Sequence, residues 1–330
     1  MINFAIIGTG WITESFVESA HASGSWKLVA VYSRKAETAA QFGEKFGVHY
    51  VFTSVEDLAQ DEGIQAVYIA SPNSLHFEQA KFLLSHKRHV IVEKPATSRS
   101  KELNELFNLA HENGVFLIEA NRHIQEVNFK ILQKNLSRLG PIYGASLNYA
   151  SYSSRYNAVL DGQTPNIFSL AFSGGSLVDL GVYPIAAAVA LFGKPVSQTY
   201  KPVIIPSGGD AGGIVVLFYE KFAVSCLASK CFTSKAPSEV FGEKGTLAIN
   251  AVTDIEHVTF LDARTKKSEE LGEKKAELNL MEEAAEFARI IENGDKEAAG
   301  KLEEMSKIVI SITEDLRHQN GLIFDVEKAA

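Results

Sequence analysis

The chain has 330 residues, 46% of them hydrophobic and 22% charged, a balance that supports a buried core and excludes a disordered chain. That length predicts roughly two domains. The formal net charge of −8, with no basic tract to offset it, argues against nucleic acid or an anionic membrane as partner.

The two cysteines, Cys226 and Cys231, lie five apart in a strand-like run and read as buried free thiols on opposite faces, as in a reducing compartment. The nine histidines are scattered, so no metal site is expected. The amino terminus already reads as a strand rather than a secretory signal, and the longest apolar run, 185–192, is too short to span a bilayer. The expectation is a cytoplasmic protein.

Residues 2–7 read as a strand, followed at once by Gly8-Thr9-Gly10-Trp11-Ile12-Thr13 and a helical pattern through Ala20. This is G-x-G-x-x-T, one glycine short of a dinucleotide fingerprint. Gly8 permits the tight turn, Gly10 lets backbone approach a pyrophosphate, and Trp11 and Ile12 open the helix beside it. A second strand, 27–32, ends in Ser33-Arg34-Lys35, where an NAD-binding chain normally carries Asp or Glu. A hydroxyl followed by cations suits a 2′-phosphate instead, so NADP is expected in preference to NAD, with Ser33 and Arg34 as ligands.

Helices follow at 36–46 and 55–59, then a strand at 66–70 that ends in Ser71-Pro72-Asn73-Ser74-Leu75-His76. Ser71, Asn73 and His76 fall on the ligand side of a parallel sheet, and Ser74 reads as the N-cap of a helix to Ser85. The next strand, Val90 to Val92, delivers Glu93-Lys94-Pro95 to that same edge. Pro95 forbids helical continuation and biases Lys94 towards an extended backbone. A helix at 101–113 stops at Gly114, and a fifth strand, 115–119, leads to Asn121. Strands and helices alternate throughout, so residues 1–121 are expected to form a doubly wound parallel sheet, a dinucleotide-binding domain of Rossmann type.

Residues 122–330 read as a second, α+β domain for substrate binding and dimerisation. A helix is expected at 124–139, a strand at 142–152 and an irregular polar substrate loop at 153–166. Further strands are expected at 196–204, 214–219, 222–232, 238–242, 246–250 and 256–261. The segment 266–277 reads as a solvated charged connection, and helices at 278–293 and 300–320 close the chain. Ile214 to Tyr219 is apolar at every position, which asks for cover on both faces and points to a second subunit. In Ser173-Gly174-Gly175-Ser176-Leu177-Val178-Asp179-Leu180-Gly181-Val182-Tyr183-Pro184, a regular helix would put Asp179 and Tyr183 on one face.

In this order and spacing, Gly8-Thr9-Gly10, Ser71-Pro72-Asn73 with His76, Glu93-Lys94-Pro95, Gly174-Gly175 through Asp179 to Tyr183, and Gly242-Glu243-Lys244-Gly245-Thr246-Leu247 resemble the Gfo/Idh/MocA family of NAD(P)-dependent oxidoreductases over nearly the full length. The resemblance implies an open, largely antiparallel sheet in the second domain, used for dimerisation, and a catalytic role for Lys94. Many members carry histidine four residues after the aspartate. Tyr183 at that position looks more like the branch containing dimeric dihydrodiol and sugar dehydrogenases than like inositol dehydrogenase. The implied activity is hydride transfer between nicotinamide and a secondary alcohol or carbonyl of a sugar, polyol or dihydrodiol-like substrate, with Lys94, Tyr183 and Asp179 catalytic. A regulator that keeps the fold and binds dinucleotide without chemistry is the alternative. Retained Lys94, Asp179 and Tyr183 favour the enzyme.

Overall fold

A computed structural model describes residues 1–328. Six strands, β1 (Ile2–Ile7), β2 (Trp26–Tyr32), β3 (Val51–Phe52), β4 (Ala66–Ile69), β5 (His89–Glu93) and β6 (Leu117–Ala120), form one parallel sheet ordered β3-β2-β1-β4-β5-β6. Helices α1 (Trp11–Ala22), α2 (Ala36–Glu44), α3 (Val55–Gln60), α4 (His76–Ser85) and α5 (Ser100–Asn113) make the crossovers. β1 and β4 pair side by side, so the strand order reverses there and opens the crevice in which doubly wound folds bind ligands. The two-residue β3 is an addition to the expected strands. Gly114 ends α5 in the left-handed conformation, as its position predicts. Ser74 is not an N-cap, because Asn73–Leu75 forms a 3-10 turn and α4 starts at His76.

Beyond this sheet, the expected helix at 124–139 is three pieces: a 3-10 turn at Arg122–Gln125, α6 (Val127–Asn135) and a second 3-10 turn at Leu136–Leu139. Strands β7 (Ile142–Ala150), β8 (Ser197–Ile204), β9 (Asp210–Phe218), β10 (Ala223–Ser229), β11 (Ser238–Gly242), β12 (Gly245–Ile249), β13 (Val258–Asp262) and β14 (Ser268–Glu270) form a second sheet. Its order is β14-β13-β12-β11-β7-β10-β9-β8, antiparallel except where β7 and β10 run parallel. β14 lies inside the stretch expected to be a charged connection; its three exposed residues pair along the edge of β13 and carry no apolar signal. The expected loop 153–166 holds a short helix, α7 (Tyr156–Leu160). The helix α8 (Val182–Phe192) is preceded by a π turn at Leu177–Gly181. An 18-residue window within Leu170–Phe192 is apolar enough to cross a membrane, with mean hydropathy 1.7, yet 67% of that window is buried within the fold.

Three helices complete the chain: α9 (Met281–Asn293), α10 (Lys296–His318) and α11 (Asp325–Lys328). Met1–Ala120 with Ala276–Lys307 form one compact unit, and Asn121–Lys275 with the residues from Ile308 onward form the other. The range 122–330 therefore differs from the observed division, because α9 belongs with the parallel sheet. Its apolar face, with Ala284, Phe287 and Ile290, joins the core made by Phe4, Phe16, Trp26 and Tyr68. The Trp26 indole donates to the Ala284 carbonyl at 2.7 Å, and its ring meets Phe4 edge-on at 5.5 Å. Each large side chain buried completely in this way contributes on the order of 1.5–3 kcal/mol.

Candidate active site

The carboxyl ends of β1, β2, β4 and β5 bring one set of candidate residues to a single edge of the parallel sheet. Gly8 has φ +108°, and a Cβ there would lie 2.5 Å from the Ala70 carbonyl oxygen, so only glycine fits between β1 and β4. Gly10 is the N-cap of α1, supplies no side-chain cap, and would have nothing within 4 Å of an added Cβ. Thr9 is half-buried beside it, Trp11 is 79% exposed and Ile12 is half-buried. Uncapped amides at the start of a twelve-residue helix, with open space above a glycine, fit a dinucleotide pyrophosphate. Thr13, in place of the third glycine, is fully buried, and its hydroxyl has no hydrogen-bond partner among the described residues.

Tyr32 pairs with Ile7, which sets Ser33 and Arg34 beside the glycine turn. Arg34 is exposed and has no hydrogen bond or ion pair among the described residues. A cation left open at that place fits a ribose 2′-phosphate.

Lys94 follows β5 and is half-buried. Three buried side chains hold its loop. The Tyr68 hydroxyl donates to Glu93 Oε1 at 2.6 Å, and the Tyr68 ring stacks on Phe16 at 3.9 Å. Glu119 Oε1 accepts from the Ala96 amide at 2.8 Å. His76 is fully buried, with Nδ1 3.0 Å from the Pro95 carbonyl oxygen and Nε2 2.8 Å from that of Ser71. Burial lowers the His76 pKa, and a neutral imidazole donates from one nitrogen at a time. His76 therefore ties the β4 loop to the lysine loop rather than facing solvent. The Ser71 hydroxyl is engaged by Gln79 at 2.7 Å, and Asn73 sits half-buried in the 3-10 turn. Tyr68 and Glu119 were invisible as site residues in the sequence, since both look like ordinary strand residues.

The second unit carries Asn121, Asp179 and Tyr183. Asn121 is buried directly after β6. Tyr183 is half-buried at the start of α8, its ring edge-on to His123 and to Tyr149, each with centroids 5.1 Å apart. Beside His123, Arg122 forks onto Asp254 at 2.9 and 2.6 Å. Burial opposes the Arg122 charge, but the Asp254 fork wins and raises its pKa, with Tyr183 adding to the same effect. Asp179 lies in the π turn rather than on a regular helix, so the expected four-residue spacing to Tyr183 is reset by the wider turn. Its Oδ2 pairs with the Lys230 ammonium, a partner the sequence did not single out.

The family model described as "Oxidoreductase family, NAD-binding Rossmann fold" matches residues 2–120. Over 327 residues, and 99% of both chains, the protein is 42% identical to the uncharacterized oxidoreductase YgjR of Escherichia coli. The chain belongs to the Gfo/Idh/MocA oxidoreductase family. Over 329 residues and the whole of both chains, this family member is 39% identical to the scyllo-inositol 2-dehydrogenase (NADP(+)) IolU of Bacillus subtilis. A crystal structure of a 3-ketoreductase from Actinomadura kijaniata, in complex with NADP, shares its fold with TM-score 0.81 and 22% identity, covering 96% of this chain and 97% of the other. The protein is thus an NAD(P)-dependent oxidoreductase of two-sheet architecture.

Trio Glu314, His318 and Glu327 brings three possible metal-ligand atoms within 4.8 Å of one another. Glu327 is committed elsewhere, accepting from Arg317 at 2.8 Å and from the Phe324 amide at 2.6 Å. This cluster reads as an ion-pair clamp on the last helix.

Proposed function

We propose that the protein is an NADP(H)-dependent dehydrogenase acting on a secondary alcohol, or its ketone, in a cyclic polyol or sugar. The observation that carries the reading is Lys94, fixed by Tyr68, Glu119 and His76 at the sheet edge that also bears the glycine turn and Arg34. The full-length likeness to a scyllo-inositol 2-dehydrogenase directs attention to inositols. Gly8, Thr9, Gly10, Trp11 and Ile12 would cradle the pyrophosphate, Ser33 and Arg34 the 2′-phosphate, and Ser71, Asn73, Glu93 and Asn121 would line the rest of the cofactor path. Nicotinamide, when bound, supplies or accepts the hydride. Tyr183 gives or takes the proton at the substrate oxygen, Lys94 binds that oxygen, and Asp179 accepts a hydrogen bond from a neighbouring substrate hydroxyl.

The test is turnover. NADP+ reduction with a panel of inositols and aldoses should be fastest with an inositol and slower with NAD+. Cofactor binding without reduction by any member of the panel would instead identify a regulator.

A homodimer is part of the same reading. Val215 and Leu217 of β9 are buried, but Ile214 is 51% and Phe218 42% exposed on the opposite face, beside the half-buried Leu227 of β10. An open apolar sheet face of this kind asks for a partner of matching surface, which a second copy supplies. Light scattering at micromolar concentration should show a dimer, and Phe218→Asp a monomer. A monomeric parent protein would refute it. A cytoplasmic location fits the free thiols of Cys226 and Cys231.

A further inference from the structure

We propose that Lys230 is a positioning residue for the reaction, holding Asp179 in the orientation that receives a substrate hydroxyl; this rests on the reading above that Asp179 contacts the substrate. Lys230 lies just past β10, and its side chain is only 4% exposed. The ammonium pairs with Asp179 Oδ2 and sits 5.1 Å from the centroid of the Phe168 ring. A second carboxylate, Asp210, also senses its charge.

Asp210 is 3% exposed and accepts from the Leu177 amide at 2.7 Å and the Tyr200 hydroxyl at 2.8 Å. A Cβ on Gly175 would come within 2.1 Å of Asp210 Oδ1, so the turn that opens the π segment rests directly on this carboxylate. The Lys230 ammonium thus pairs with the carboxylate carried on the turn, while its backbone amide donates to the Ala211 carbonyl, next in sequence to the carboxylate that seats the turn. The ion pair spans 51 positions in sequence and joins the end of β10 to the π turn.

Stability alone does not call for a lysine here. A buried charge costs desolvation, and well-packed apolar replacements of ion pairs are often neutral or stabilising. What the ammonium adds is direction. Asp179 is 35% exposed at its side chain, and without a fixed partner it would sample several rotamers. Held by Lys230 at Oδ2, it presents one orientation to a hydroxyl-rich substrate, and small displacements of such a group are costly in rate.

The experiment compares Lys230→Met, Asp179→Asn and the double variant with the parent enzyme, using NADP+ and the inositol turned over fastest. Lys230→Met should lower kcat/KM about tenfold to thirtyfold, mostly through KM, while NADP affinity stays within twofold. Lys230→Arg, which keeps the cation, should recover most of that loss. In the Asp179→Asn background, Lys230→Met should change kcat/KM by less than twofold, because its route to the substrate is already gone. Additive losses, or parental kcat/KM in Lys230→Met, would overturn the role of Lys230. Parental kcat/KM in Asp179→Asn would instead overturn the assignment of Asp179 itself. The double variant leaves no uncompensated Asp179 charge, so its comparison with Asp179→Asn decides the matter even where Lys230→Met does not fold.

Discussion

Lys94→Ala and Tyr183→Phe should each lower kcat by about 10²–10⁴, the usual contribution of a general acid–base, while NADP affinity changes little. Oxidising or forming a carbinol requires a proton to move at its oxygen in the same event as the hydride, and that proton must come from the protein. A free tyrosine titrates near 10, too high for an efficient base at neutral pH. A lysine cation about 4 Å from a phenolate could favour it by at most roughly 4 kcal/mol at an effective dielectric of 20. That corresponds to a depression of up to about three pKa steps, before desolvation opposes it. Arg122 adds a second cation whose field already couples to Tyr183, but its guanidinium is forked onto Asp254 and partly neutralised there.

A pH–rate profile of each variant shows which limb its side chain supplies. Stopped-flow hydride transfer with matched NADP titrations separates the step from binding. Near-parental kcat in both variants would place the chemistry on other residues.

The edge to which we assign this chemistry is marked by local rules in the sequence. A glycine turn after the first strand, Ser33-Arg34 after the second and Glu93-Lys94-Pro95 after an apolar run each declare their place without any knowledge of the partner. The clamp around Lys94 did not, because it depends on register. Val92 pairs with Ile69 on one side and Glu119 on the other, and those pairings bring Tyr68 and Glu119 to the lysine loop. His76 was legible as a residue at the right edge, but burial decides that its nitrogens meet backbone carbonyls. Lys230 was hidden for the same reason, since a lysine at a strand end normally reaches water. Asp179 marked itself by spacing to Tyr183, yet the π turn that carries it comes just after Gly175, seated on Asp210, a contact across 35 positions that no periodicity announces. The α9 helix was found as a helix, and its membership of the first unit came only from the Trp26 hydrogen bond and the apolar face it covers.

Arg34→Ala should weaken NADP(H) about ten- to a hundredfold and leave NAD(H) within twofold. A hydrogen bond to a charged group contributes roughly 1.5–3 kcal/mol, and each 1.36 kcal/mol is a factor of ten, which sets that range. The loss falls on NADP(H) alone because the 2′-phosphate is the one group the two cofactors do not share. Arg34 suits the task through its planar fork, and it stands exposed with no partner among the described residues to break first. Exposure also limits it. Salt screens a surface contact over about 8 Å at physiological ionic strength, so discrimination should shrink as salt rises. Lys35, next in sequence and also exposed, can supply part of the missing charge but not the fork, which keeps the expected loss towards the lower end where it compensates. Titrating both cofactors into the parent and variant proteins at two salt concentrations measures all of this at once. An equal loss for NADP(H) and NAD(H), or a parental preference for NAD(H), would mean that Ser33 and Arg34 read no phosphate.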